Sequence, residues 1–319
     1  MTKKERVLAA IGGRQPDAVP TCFSMHFPKD QNAGEAAIRQ HLDFFRQTDT
    51  DVLKLMNENL IPDMGSIRSP ADWAQVRTLS MKDGFMVRQM ELCRRLLEES
   101  PAEAFRVGTL HGICASAIHP IEHRYGYREV REMLCEHLRE NKTPVLDAMK
   151  RINEVLCQLA RAYVEAGMDG VFFASLGGER HFFTDEEFAE YIEPLDLQVL
   201  ETVKRAGGHT LLHICKENLN MQRYAGYAPL ADVVNWGVYE TGFSLRQGRE
   251  LFGGCAVMGG FANHAGTVLA DGPAEAVKAQ ARQAMAEAGR VGFILGADCT
   301  LPTGIDYSLI RAAVEAARE

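Results

Sequence analysis

Apolar residues along the chain gather into short runs, and between these runs the apolar positions recur at helical spacing. The runs lie at Val19–Phe23, Asp51–Met56, Phe105–Leu110, Gly170–Ala174, Thr210–Cys215, Asp232–Trp236, Ala256–Gly260 and Gly292–Leu295. They are short and rich in β-forming residues, which predicts strands. The intervening segments carry helix punctuation. Ser69-Pro70 pairs an N-cap serine with proline at the first helical position. Thr184-Asp-Glu-Glu187 is a capping box. Asp271-Gly-Pro-Ala opens an alanine-rich helix that runs to about Ala288, with Gly289 as its stop. Lys142-Thr-Pro-Val145 divides the helical region Tyr127–Glu165 into two helices.

Eight strands alternating with helices predict parallel pairing and a closed (β/α)8 barrel: one α/β domain over residues 1–319, with an N-terminal helical extension. An open, doubly wound sheet is the alternative. It usually places a glycine-rich phosphate loop after its first strand, and no such loop follows Val19–Phe23.

Composition narrows the class. Hydrophobic residues make up 46% and charged residues 24%, as in a soluble globular protein. The net charge of -8 argues against a nucleic-acid or anionic-membrane surface. No apolar window is long enough to span a bilayer. The N-terminus reads as an amphipathic helix rather than a signal peptide. The eight cysteines are scattered without a disulfide-like framework, so reduced thiols and a cytoplasmic location are expected.

Candidate chemistry begins in Gly-Gly-His-Thr-Leu-Leu-His-Ile-Cys-Lys-Glu-Asn-Leu-Asn, residues 207–220. Side chains at i and i+2 of a strand share a face, so His213 and Cys215 emerge together. The eighth strand leads into Cys299. In a barrel, the carboxyl ends of strands converge on one mouth, where His213, Cys215 and Cys299 supply a nitrogen and two sulfurs suited to zinc. Three protein ligands leave a position open, the catalytic pattern rather than the structural one. On spacing alone, a chance placement of unrelated residues is the better reading.

The pattern resembles a known family. His-x-Cys, followed by a late cysteine in "GADCTLP", is similar to the zinc-dependent cobamide (corrinoid) methyltransferases of the uroporphyrinogen decarboxylase superfamily. The opening "RVLAAIGGRQPDAVP", the "LLHIC" strand, the "MGGF" strand with "LADGPAEAV" behind it, and the closing "GFILGADCTLP" extend the likeness over nearly the whole chain. The resemblance implies a (β/α)8 barrel, zinc at His213, Cys215 and Cys299, and methyl transfer between a corrinoid and a small substrate such as a thiol, methyl ether or methylamine. True decarboxylases carry "RQAGRY" after the first strand and an aspartate in "FSDI" after the second. Here "CFSMHFPKDQNAG" has Lys29 as its lone lysine or arginine, and "LMNENLIP" puts Asn57 where the aspartate is expected, with Glu58 out of register. A polycarboxylate porphyrinogen needs arginine partners, so decarboxylation is disfavoured. No D-x-H-x-x-G corrinoid motif is present, so cobalamin is expected free or on a partner corrinoid protein.

Further candidates sit after predicted strands. His111 orients substrate or acts as an acid, with a structural histidine as the alternative. Glu179 and His181 are candidate site residues in a glycine-rich loop, against a solvated loop. Asn263 and His264 are candidates for contacting the corrinoid, against loop capping. Asn57 or Glu58 is a candidate fourth zinc ligand, and Asp298 a support for a ligand. Met221, Met258, Tyr224, Tyr227 and Tyr239 are read as core or rim packing. A non-catalytic tetrapyrrole- or metabolite-binding protein is the competing class.

Overall fold

The computed structural model describes residues 1–59 and 61–319. Eight parallel strands form a (β/α)8 barrel: β1 Thr21–Cys22, β2 Val52–Leu55, β3 Phe105–His111, β4 Gly170–Ser175, β5 His209–Ile214, β6 Val233–Trp236, β7 Ala256–Phe261 and β8 Phe293–Ala297. Each pairs with its sequence neighbour, and β1 pairs with β8. At the remaining seam, between β1 and β2, the Asp51 N–H donates to the Thr21 carbonyl (3.1 Å). The Asp51 carboxylate in turn accepts from the Thr21 N–H and hydroxyl, at 2.9 and 2.8 Å.

Period-two packing gives the barrel two apolar layers. Inward positions form one cluster, which includes Cys22, Val52, Phe105, Val107, Phe172, Leu211, Val233, Met258 and Ile294. Leu53, Leu55, Val171, Phe173, Leu212, Ile214, Val234 and Trp236 point outward under the helices. The N-terminal helix Lys3–Ile11 has a capping box at Thr2 and Glu5. Its Val7 and Ala10 join the inner cluster, so the helix closes the amino-terminal end of the barrel. The predicted extension is therefore the barrel's floor.

Two predicted details shift. Ser69 does cap with Asp72, but the element it opens is a 3-10 turn, Pro70–Gln75. The alanine-rich helix starts at Ala274, with Pro273 rather than Asp271 at its cap, and ends before Gly289 at φ 78°. Asp271 instead accepts from the Gly266 N–H. Thr184 and Glu187 form the expected box on helix Asp185–Tyr191. The long helical region Glu129–Ala166 breaks at Asn141 (φ -155°, ψ 94°), which leaves Pro144 in the first turn of the second helix, where its missing N–H costs nothing. Among the described residues no helix is long and apolar enough to cross a membrane.

Candidate metal centre

The carboxyl ends of the strands surround a cavity of about 190 Å3. One level of the barrel sets its chemistry. His111 pairs with Ala174, Ala174 with His213, His213 with Asn235, and Asn235 with Met258. Cys215 lies one inward position beyond His213, with its N–H donating to the Ser175 carbonyl (3.0 Å). Immediately afterwards Lys216 adopts φ 88°, which turns the chain away from the strand direction. A non-glycine residue bears that conformation at a cost of about 1–2 kcal/mol. Cys299 arrives from the other side, two residues past β8.

The ligand atoms of His213, Cys215 and Cys299 all lie within 4.8 Å of one another. Cys299 Sγ is 3.3 Å from His213 Nε2 and 3.9 Å from Cys215 Sγ. The imidazole's orientation is set by Asn235. The amide Nδ2 donates to the carbonyls of Met258 and Ala297, each at 3.0 Å. Its Oδ1 must then face His213 Nδ1, 2.6 Å away, and that ring nitrogen carries the proton. His213 Nε2 is left with a free lone pair pointing at the sulfurs. An outer partner that fixes the tautomer is typical of histidine metal ligands.

The two thiols do not ionise alike. The hydrogen bond from Cys215 holds Cys299 well below the usual thiol range, against the effect of burial. The same contact, together with burial, pushes Cys215 up. The pair thus shares one negative charge, and a cation is what would let both sulfurs be thiolates. An imidazole lone pair and two sulfurs at this spacing fit a zinc ion. The trio contains no carboxylate among the described residues.

The other predicted residues fall in different places. His111 lines the cavity. Burial first, and the charge of His26 second, lower its pKa to about 4, so it is neutral at pH 7. Glu179 is buried, but it turns away from the cavity into a separate crevice with Cys114 and Arg131, accepting from the Gly177 N–H (3.1 Å). The cause is a bridge to Leu219, which folds its loop back onto the strand-five loop. His181 is exposed and lies 3.1 Å from Asn218 Nδ2, and His264 is exposed beside its own loop carbonyl. Asn263 donates to the Thr300 carbonyl (3.1 Å), tying the loop after β7 to the residue next to Cys299.

Asp298 accepts from the Tyr239 N–H (2.9 Å) rather than from a ligand. Burial raises its pKa to about 7. Glu58 is held by His26 Nδ1 at 2.6 Å, and Asn57 accepts from the Asn59 N–H. Glu58 is not among the clustered ligand atoms, and Asn57 lines a separate crevice beside His111 and His119. Met221, Tyr224 and Tyr227 are core, whereas Met258 lines the cavity and Tyr239 is exposed.

Several polar side chains lining the cavity escape sequence reasoning, among them Asn235, Lys54, Thr109, Lys216, His26 and His119. Asn235 and Lys54 did carry a signal. Each is a polar residue inside an apolar strand, two positions after an inward valine, Val233 and Val52. His26 and His119 come from a loop and a helix and had none.

With this geometry in view, the chain belongs to the uroporphyrinogen decarboxylase (URO-D) family, whose model matches residues 55–319. The opening segment that resembles the superfamily lies outside that match. No curated protein matches the chain. Among solved structures it is similar to a methyltransferase from Methanosarcina mazei, with 18% identity, TM-score 0.80, and coverage of 99% of this chain and 98% of that one. It is also similar to a B12-independent methionine synthase from a Shewanella species solved in complex with selenomethionine (15% identity, TM-score 0.62, 94% and 97% coverage). A putative vitamin-B12 independent methionine synthase from Listeria monocytogenes shares 12% identity at TM-score 0.55, with 88% and 84% coverage. At these identities the likeness is one of fold.

Proposed function

We propose that this chain is a zinc-dependent methyltransferase that moves a methyl group between a corrinoid, free or carried by a partner protein, and a small thiol, methyl ether or methylamine. The observation that carries the reading is the trio His213, Cys215 and Cys299, gathered at the mouth of a barrel cavity with Asn235 fixing the imidazole. A family built on this barrel and a full-length fold likeness to a methyltransferase support it.

Bound by these three residues, zinc would supply Lewis acidity, lowering the pKa of a thiol or polarising the heteroatom that carries the methyl group. The chain's own residues do the rest. Phe172, Met56, Leu176 and Met258 wall the cavity with apolar surface and exclude water from the reacting centre. Neutral His111 orients a heteroatom by hydrogen bonding and is too weakly basic to hold a proton at neutral pH. Among the described residues no arginine lines the cavity, so the polycarboxylate substrate of a porphyrinogen decarboxylase finds no bidentate partner among them.

The test is a corrinoid assay. Cob(I)alamin with methyl ethers or methylamines, and methylcobalamin with thiols, are followed by the cobalt absorbance, with corrinoid proteins encoded nearby as alternative carriers. The parent should turn over, and His213→Ala should lose at least about 100-fold in rate. Equal rates in parent and variant would sink the zinc mechanism, and silence with every carrier would sink the reaction.

A further inference from the structure

Lys54 has no role in the chemistry above, yet it is placed at the heart of the cavity. It follows Val52 at the next inward position of β2 and is only 7% exposed. Among the described residues it forms no ion pair. Its Nζ donates to Ser24 Oγ at 3.1 Å and lies 3.6 Å from the centre of the Phe172 ring. The acidic groups that act on it are the thiols of Cys22, Cys299 and Cys215 and, after them, Glu58, the one carboxylate of the four, which is engaged by His26. A buried ammonium with a single hydroxyl and an aromatic face is poorly compensated for the hydration it has lost.

The surroundings point the same way. The cavity lining contains two lysines, Lys54 and Lys216, and among the described residues no aspartate or glutamate. Thr109, an inward residue of β3 that also lines the cavity, is 3% exposed, and its hydroxyl has no hydrogen-bond partner. Its strand neighbour is Phe172, the ring beneath Lys54. An unpaired cation and an orphaned hydroxyl thus both neighbour Phe172 in the cavity lining. Lys216 is a different case, because its ammonium lies over the Tyr127 ring at 4.7 Å.

We propose that the small substrate carries a carboxylate, held by the Lys54 ammonium and the Thr109 hydroxyl, while its heteroatom is presented at the His213, Cys215 and Cys299 end of the cavity. This rests on the methyl-transfer reading and names the substrate class for it. A planar monoanion suits one ammonium and a hydroxyl better than a phosphate does. The helix that opens at the cavity, Ile113–Tyr125, already gives its first N–H to Asp196 (2.9 Å). Distance restricts the substrate further. Phe172 lies 3.6 Å from Lys54 Nζ and 5.6 Å from the His213 ring, and these two legs cap the separation at about 9 Å. Only a few atoms separate carboxylate and heteroatom.

The experiment is titration calorimetry with 3-mercaptopropionate and its neutral counterpart 3-mercapto-1-propanol, on zinc-loaded and metal-stripped protein. The zinc-loaded parent should prefer the carboxylate by at least about tenfold, the worth of one charge-assisted hydrogen bond. Lys54→Met should bring the two ligands within about twofold while metal analysis shows unchanged zinc, and Thr109→Val should lose a smaller part of the preference. Absence of a preference in the parent, or an undiminished one in Lys54→Met, would overturn the proposal, as would a preference that depends on Lys216 instead. The stripped protein separates the two readings. A Lys54-dependent preference there, in a chain that takes up no zinc, would leave the carboxylate site standing and remove the metal. Absence of zinc uptake and of any preference would remove both.

Discussion

The two ends of one barrel interior, built from the same strands, differ sharply. Toward the amino-terminal end the inward positions are Val52, Val107, Leu211 and Val233, closed off by Val7 and Ala10 of the first helix. One inward position further along, the same strands present Lys54, His213 and Asn235, and just beyond them Cys215. The inward aliphatic side chains of the lower layer are held by dispersion and burial. The upper layer buries an ammonium, an imidazole and a primary amide, and satisfies only some of them from within the chain. The barrel concentrates stability in one half and leaves reactive, incompletely paired groups in the other, the division expected of this fold.

The largest test of that division removes the proposed metal ligands. Cys215→Ser combined with Cys299→Ser should reduce zinc from about one per chain to almost none by metal analysis, because a hydroxyl is a poor substitute for thiolate. The circular dichroism spectrum should not change, since the lower layer is untouched. Full zinc retention would refute the ligand assignment. The converse substitution is Leu211→Ala, two residues before His213 on the same face of β5. It should cost about 2–5 kcal/mol in urea unfolding, the range for cavities left in close-packed cores. The folded fraction should still bind zinc fully. Lost zinc affinity in folded Leu211→Ala would mean that the two halves are not separable.

The lower half was almost wholly legible in the sequence, because burial on both faces writes itself as β-branched runs of strand length. The upper half was legible where the residue type itself is chemically unusual. His213, Cys215 and Cys299 stood out as soft ligands at strand ends. Position after a strand proved a weaker guide. Glu179 follows β4 as Cys215 follows β5, yet its loop folds back and buries it elsewhere. Asp298 sits beside a ligand and serves a neighbouring backbone instead. Asn235 and Lys54 were overlooked because one polar residue in an apolar strand reads as a blemish until the register shows what it faces.

Asn235 sharpens the comparison at intermediate size. Asn235→Ala frees the His213 ring to rotate and to change tautomer, and zinc affinity measured against a competing chelator should fall about 10–100-fold. The carbonyls of Met258 and Ala297 lose their donor too, so stability should be measured alongside. If Asn235→Ala unfolds more easily but binds zinc as tightly as the parent, the amide is a structural plug rather than a support for the ligand.

The smallest effect belongs to the charged groups of the lower end, which serve stability. Asp232, just before β6, accepts from Lys204 Nζ with both oxygens (2.8 Å each) and from the Thr210 N–H (2.8 Å). Burial alone would raise its pKa, but the contacts with His209, Lys204 and Thr210 outweigh it and bring the value down to about 2. An unfolded aspartate titrates near 3.9, so the folded state favours the ionised form. The resulting stability is fully present above about pH 4 and disappears as the pH falls through about 2. Lys204 is partly exposed, and solvent screening trims the worth of the pair, so Asp232→Asn should cost about 1–2 kcal/mol at pH 7. Urea unfolding of parent and variant, repeated from pH 7 downward, should show that gap closing between about pH 4 and pH 2. A gap that persists unchanged at pH 2 would show that shape and hydrogen bonding, not charge, hold this corner of the barrel.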